Sequence, residues 1–131
     1  MFDDMGIFRT TVGVENPLRA GDIRELSDVI VATGSEYTWL PRAVLESLGL
    51  EPRRIVQFVT ADGRVIDRSV CFAHVYAGGT SAPDIVVFAE AGDMVLLGAH
   101  SLEGLNLRID VIAKQLVPAG LVPVATLRVA A

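Results

Sequence analysis

The sequence predicts an all-β fold, a barrel or sandwich carrying two short helices. Three observations predict it. Short apolar runs recur along the chain, each bounded by Gly, Pro, Asp or Ser. Ala61-Asp62-Gly63 separates two extended runs, and Asp-Gly in such a place is a hairpin signal. Only two stretches read as helix, and both are too short to form a layer of their own.

Taken in order, residues 6–15 read as a strand with Phe8, Thr10 and Val12 on one face. Asn16-Pro17 then turns the chain, because a residue before proline is pushed out of the helical region. Residues 23–31 form a second strand. It begins alternating and becomes continuously apolar at Val29-Ile30-Val31, as a strand does on entering a core. Ala32-Thr33-Gly34-Ser35 is a small-residue turn, and residues 37–40 form a short strand. Residues 41–48 are the clearest helix, with Pro41 in its first turn and Gly49 as its stop.

Residues 55–60 and 64–70 are the arms of the hairpin, and the second continues to Tyr76. Residues 77–83, rich in Gly, Ser and Pro, are expected to form a turn, followed by a strand at 85–89. Glu90 and Asp93 read as solvated turn acids. A buried strand over 94–97 ends at Gly98, and residues 99–105 form a second helix that Ser101 could cap. Residues 107–112 and 115–117 close as a hairpin, and an apolar tail broken by prolines follows. Val29–Gly34 and Val95–Ala99 form a weak internal repeat: each is an apolar strand that reaches a glycine and precedes a short helix.

Composition limits the partners. The 131 residues suit a single domain, 1–131, and 51% are hydrophobic, which excludes intrinsic disorder. The net charge of −5, without a basic block, argues against nucleic acid, since neutralising phosphates needs clustered Lys and Arg. Cys71 is the sole cysteine, so neither an intrachain disulfide nor a multi-cysteine zinc site can form. His74 and His100 lack partners at ligand spacing, so no metal or other cofactor is expected. The acidic start Met1-Phe2-Asp3-Asp4 does not resemble a signal peptide. The apolar stretch around 116–127 is interrupted by Pro118, Gly120 and Pro123 and is too short to span a bilayer. The expectation is a cytoplasmic protein with no membrane partner.

Three segments, in order, carry a family resemblance. They are Val31-Ala32-Thr33-Gly34-Ser35 with Leu40-Pro41, the hairpin over 58–68, and Leu96-Leu97-Gly98-Ala99 with the helix after it. On these the chain resembles a retropepsin-like (retroviral-type) aspartic protease of the small single-domain bacterial kind, from about Phe8 to Val117. The resemblance implies a closed, barrel-like acid-protease fold, a peptide or protein substrate, and a homodimer with one catalytic aspartate per subunit.

Ala32 stands at the position of that aspartate. The resemblance gives Thr33 a buttressing bond across the dimer. Gly34 would allow a tight backbone and close approach of substrate, and Ser35 would bond to the aspartate. Phe58, Val59, Thr60, Ala61, Asp62, Gly63 and Arg64 correspond to the flap over the substrate, and Leu97, Gly98 and Ala99 to the second motif. Residues 118–131 become a candidate dimer-interface tail. The intact surroundings of Ala32 favour an Asp-to-Ala change in an active enzyme over a natural member without activity. The alternative function is a non-catalytic β-barrel that binds peptides or assembles with itself.

Overall fold

The computed structural model describes residues 7–126. In chain order its elements are β1 (Arg9–Glu15), β2 (Ile23–Ala32), β3 (Thr38–Pro41), α1 (Arg42–Ser47), β4 (Arg54–Val59), β5 (Val65–Ala77), β6 (Thr80–Ala89), β7 (Leu96–Gly98), α2 (Ala99–Leu105), β8 (Leu107–Asp110) and β9 (Gln115–Pro118). The main sheet runs β1-β2-β7-β3-β6-β5-β4, and β1 also pairs with β5. That pairing closes six strands into a barrel and leaves β4 projecting from β5. The architecture is the all-β, retropepsin-like one expected from the sequence.

The barrel interior is apolar because the inward positions are. Val12, Val14, Leu40, Val75, Val86 and Phe88 are fully buried. Phe8 just before β1 and Val12 and Val14 within it are buried and Thr10 is half-buried, while the register slip opposite Thr10–Val12 puts its extra residue in β2, between Val29 and Leu26. β2 shows both regimes: exposed through Glu25, then burying Val29 and Val31. α1 buries Leu45 against one end of the barrel and stops at Gly49, whose φ of 75° suits a residue without a Cβ.

Cross-strand polar groups fasten the closing seam. Glu15 faces His74 in the β1–β5 register. Its carboxylate accepts the Tyr76 hydroxyl at 2.7 Å and the Gly21 N–H at 2.6 Å, and lies 3.2 Å from His74 Nδ1.

Several expectations need correction. Residues 77–83 are not one long turn. Only Gly78-Gly79 turn, both at positive φ, and β6 already begins at Thr80. Pro83 is tolerated inside this strand because β3 joins β6 only from Val86 onward, leaving that side unpaired at Pro83. Ser101 does not cap α2. Gly98 is the N-cap, without a side-chain bond, and the Ser101 hydroxyl points elsewhere. Asp93 is not a solvated acid, because Arg68 covers and pairs with it, while Glu90 stays partly exposed, as expected, but accepts from Arg42. Val56 and Phe58 alternate in the sequence as core residues would, together with Val86 and Phe88, yet they are only half-buried, because their hairpin projects beyond the barrel. The tail from 119 to 126 has no regular structure, and its last part, 127–131, lies outside the described residues, as do residues 1–6.

Candidate active site

The weak internal repeat in the sequence is a contact in space. β2 and β7 run side by side in parallel, with Ile30 opposite Leu96, Val31 opposite Leu97 and Ala32 opposite Gly98. Two apolar strands therefore arrive together at their C-terminal ends, where Ala32 and Gly98 meet. The turn after Ala32 is closed by the Ser35 N–H donating to the Ala32 carbonyl at 3.1 Å. The start of α2 then holds the turn from behind. Ala99 N–H donates to Ser35 O at 2.8 Å, and His100 N–H to Glu36 O at 2.9 Å. Helix-end N–H groups that lack intrahelical partners are satisfied by the site turn itself.

Gly98 is obligatory in this arrangement. A Cβ there would stand 2.3 Å from the Tyr37 carbonyl oxygen and 2.9 Å from that of Glu36. The chain leaving the turn crosses directly over it. The tight backbone expected at Gly34 is not seen. Its φ is not positive and a Cβ would meet nothing within 4 Å, so the backbone does not demand glycine there. Thr33 and Gly34 are exposed; Ala32 and Ser35 are half-buried. The Ala32 methyl offers no proton donor or acceptor.

The β4–β5 hairpin stands beside this turn. Its tip, residues 60–64, is held by Thr60 N–H to Arg64 O at 2.8 Å and Gly63 N–H to Thr60 O at 2.9 Å. Gly63 takes the positive φ that the hairpin needs. The Thr60 hydroxyl donates to Asp62, which also pairs with Arg64 at 3.1 Å. These bonds, that of Thr60 first, hold the Asp62 carboxyl below its ordinary range. Val59 and Ala61 are exposed. Phe58 turns under the hairpin, 4.9 Å from the Trp39 ring and 6.1 Å, edge-on, from that of Tyr37. The aromatic pair just beyond the site turn thus supports the hairpin.

The base of the hairpin is tied by charge. Arg68 grips Asp93 at 2.7 and 2.9 Å, while Asp93 also accepts the Glu90 N–H at 2.8 Å. Arg42, stacked 4.9 Å over Phe88, pairs with Glu90 at 2.8 Å. The Arg68 guanidinium is the main reason the Asp93 carboxyl lies below its usual range.

A family model described as aspartyl protease matches residues 16–101. The chain belongs to the aspartyl protease family. The match takes in the site turn, the hairpin and the Leu97-Gly98-Ala99 segment. No curated protein matches the chain. Ala32 sits in a turn whose β2–β7 ladder, following glycine and α2 contacts are all in place. Among the described residues no group of three or more His, Cys, Asp or Glu could hold a metal ion, and no helix is long and apolar enough to cross a membrane.

Sequence reasoning missed the surroundings of both histidines. His74 meets Glu15, and His100 meets Asp84 at 3.1 Å. Asp84 fell between the expected turn at 77–83 and the expected strand at 85–89, and no local signal marks it as a buried strand residue. Only the extended β5–β6 register places it opposite Ala73 and beneath α2.

Proposed function

We propose that this chain is the subunit of a homodimeric aspartic endopeptidase in which Ala32 holds the place of the catalytic aspartate. The observation that carries the reading is the pairing of Ala32 with Gly98 at the joined ends of β2 and β7. This geometry presents the residue-32 side chain at the head of a braced turn. One chain offers one such position, so a dyad needs a second copy on a two-fold axis. The exposed tail residues Leu121, Val122 and Val124 suit a dimer contact through residues 118–131.

With aspartate at position 32 in both subunits, two carboxylates about 3 Å apart would share one proton. The ionised member takes a proton from water, which attacks the scissile carbonyl while the protonated member supports the oxyanion. Thr33 buttresses the turn across the dimer, and Ser35 bonds to the carboxylate. Gly34 leaves room for the substrate backbone. The β4–β5 hairpin acts as the flap and pairs with an extended peptide, with Asp62 and Gly63 at its tip. Leu97, Gly98 and Ala99 position the turn from below.

As written, the chain has no dyad. It binds peptide without cutting it. Ala32 itself favours the second reading, a peptide-binding module of protease descent. Ala32→Asp decides between them. Cleavage of a mixed peptide library at mildly acidic to neutral pH supports the peptidase. A folded Ala32→Asp protein that cuts nothing and binds no pepstatin-like inhibitor overturns it. Peptide binding by the unaltered chain would then remain as the function.

A further inference from the structure

Behind the site turn runs a chain of buried hydrogen bonds that ends on a carboxylate. Gly98 N–H donates to Thr38 Oγ1 at 3.0 Å. Thr38 Oγ1 meets Ser101 Oγ, and Ser101 Oγ meets Asp84 Oδ2. The other oxygen, Asp84 Oδ1, accepts its neighbour Ile85 N–H at 2.8 Å and lies 3.1 Å from His100 Nδ1. Thr38 and Ser101 are buried, and the Asp84 side chain is 4% exposed.

The donor inventory fixes the direction of this chain. An ionised carboxylate can only accept, so Ser101 must donate to Asp84. The Ser101 oxygen is then left to accept from Thr38, and the Thr38 oxygen to accept from Gly98. To donate to the same carboxylate, His100 must carry a proton on Nδ1. One carboxylate on β6 therefore orients hydroxyls on β3 and α2 and holds an N–H on β7. That N–H belongs to the residue opposite Ala32. The His100 N–H meanwhile holds Glu36 O on the crossing chain. Buried polar groups so connected give geometric definition that apolar packing of the same volume would not.

We propose that Asp84 is the positioning residue of the site turn, acting through Ser101 and Thr38 on Gly98 and so on the placement of residue 32. Its kinetic consequence rests on the peptidase reading; its structural consequence does not.

Amide hydrogen exchange on the unaltered chain tests the structural part. Asp84→Asn and Thr38→Val should each speed exchange at Gly98 and His100 by about tenfold or more, while seam amides at Val14 and Val75 stay within about twofold. Thr38→Ser, which keeps the hydroxyl, should exchange like the parent. If site and seam amides accelerate together, or if neither changes, the proposal is overturned. Should Asp84→Asn fail to fold, the Thr38→Val and Thr38→Ser pair still decides.

The kinetic part uses Ala32→Asp as parent. Adding Thr38→Val or Asp84→Asn should lower kcat by about a hundredfold with KM within about threefold, the signature of a misplaced reacting group. Thr38→Ser should restore kcat. An unchanged kcat overturns the positioning role. An Ala32→Asp parent that cuts nothing overturns the peptidase reading instead and leaves the exchange result to judge Asp84.

Discussion

Gly98 lies beneath the carbonyl of Tyr37 so closely that a Cβ would approach its oxygen to 2.3 Å. The crossing of the 33–37 segment over the end of β7 is possible only because residue 98 has no side chain. The Tyr37 carbonyl cannot move away cheaply, since the carbonyls just before it, of Ser35 and Glu36, are held by the Ala99 and His100 N–H groups. Gly98→Ala should therefore cost about 3 kcal/mol or more, at or beyond the upper end of ordinary overpacking. Denaturant unfolding measures it. A loss below about 1 kcal/mol would show that the crossing is slack.

Trp39 is the chain's single tryptophan and reports on the hairpin directly, because Phe58 packs 4.9 Å from its ring. Phe58→Ala should shift Trp39 emission toward longer wavelength and raise protease sensitivity at 60–64. Global stability should fall by only about 1–2 kcal/mol, the worth of a half-exposed aromatic contact. Emission identical to the parent would mean that the hairpin does not rest on Trp39 in solution.

The barrel seam should set the acid limit of stability. Glu15 lies below its ordinary pKa of 4.5, first through the Gly21 N–H and then through Tyr76. Asp93 is lowered from 3.8 chiefly by Arg68. A carboxyl depressed in the fold contributes stability that is complete above its unfolded pKa and lost as pH falls through the folded one. The parent should thus lose stability on acidification below about pH 4.5. Glu15→Gln should be less stable at neutral pH and should flatten that acid dependence, which thermal melts across pH can follow. An unaltered pH profile would remove Glu15 from the account.

Cys71 lies in the core, and burial pushes its thiol up to about 12. The folded protein should react negligibly with a disulfide reagent at neutral pH, and denaturant should release one thiol per chain. Reaction as fast as a free thiol in the native state would contradict the buried placement.

Much of the fold was legible because its signals are local. The Asp62-Gly63 hairpin, Pro41 at the start of α1, Gly49 at its end and the apolar runs of β2 and β7 all speak through neighbouring residues. The site turn was legible for the same reason, since Ala32 to Ser35 is one continuous stretch. What failed was long-range. Thr80 to Pro83 looked like turn residues, and their strand character comes only from pairing with β5. Asp93 looked solvated, and only the fold brings Arg68 of β5 onto it, as it brings Arg42 of α1 onto Glu90.

By itself the sequence determined the all-β class, the two helices, the hairpin and the turn at Ala32–Ser35. Each rests on spacing, turn chemistry or a motif read along the chain. The tertiary structure alone decided that the Val29–Ala32 and Leu96–Gly98 runs lie side by side, that Gly98 must lack a side chain, and that Asp84 reaches it through Ser101 and Thr38. Those facts depend on which strands meet when the barrel closes. Residues tens of positions apart acquire their roles only from that closure, because hydrogen bonds and steric limits act over a few ångströms of space, whatever the separation along the chain.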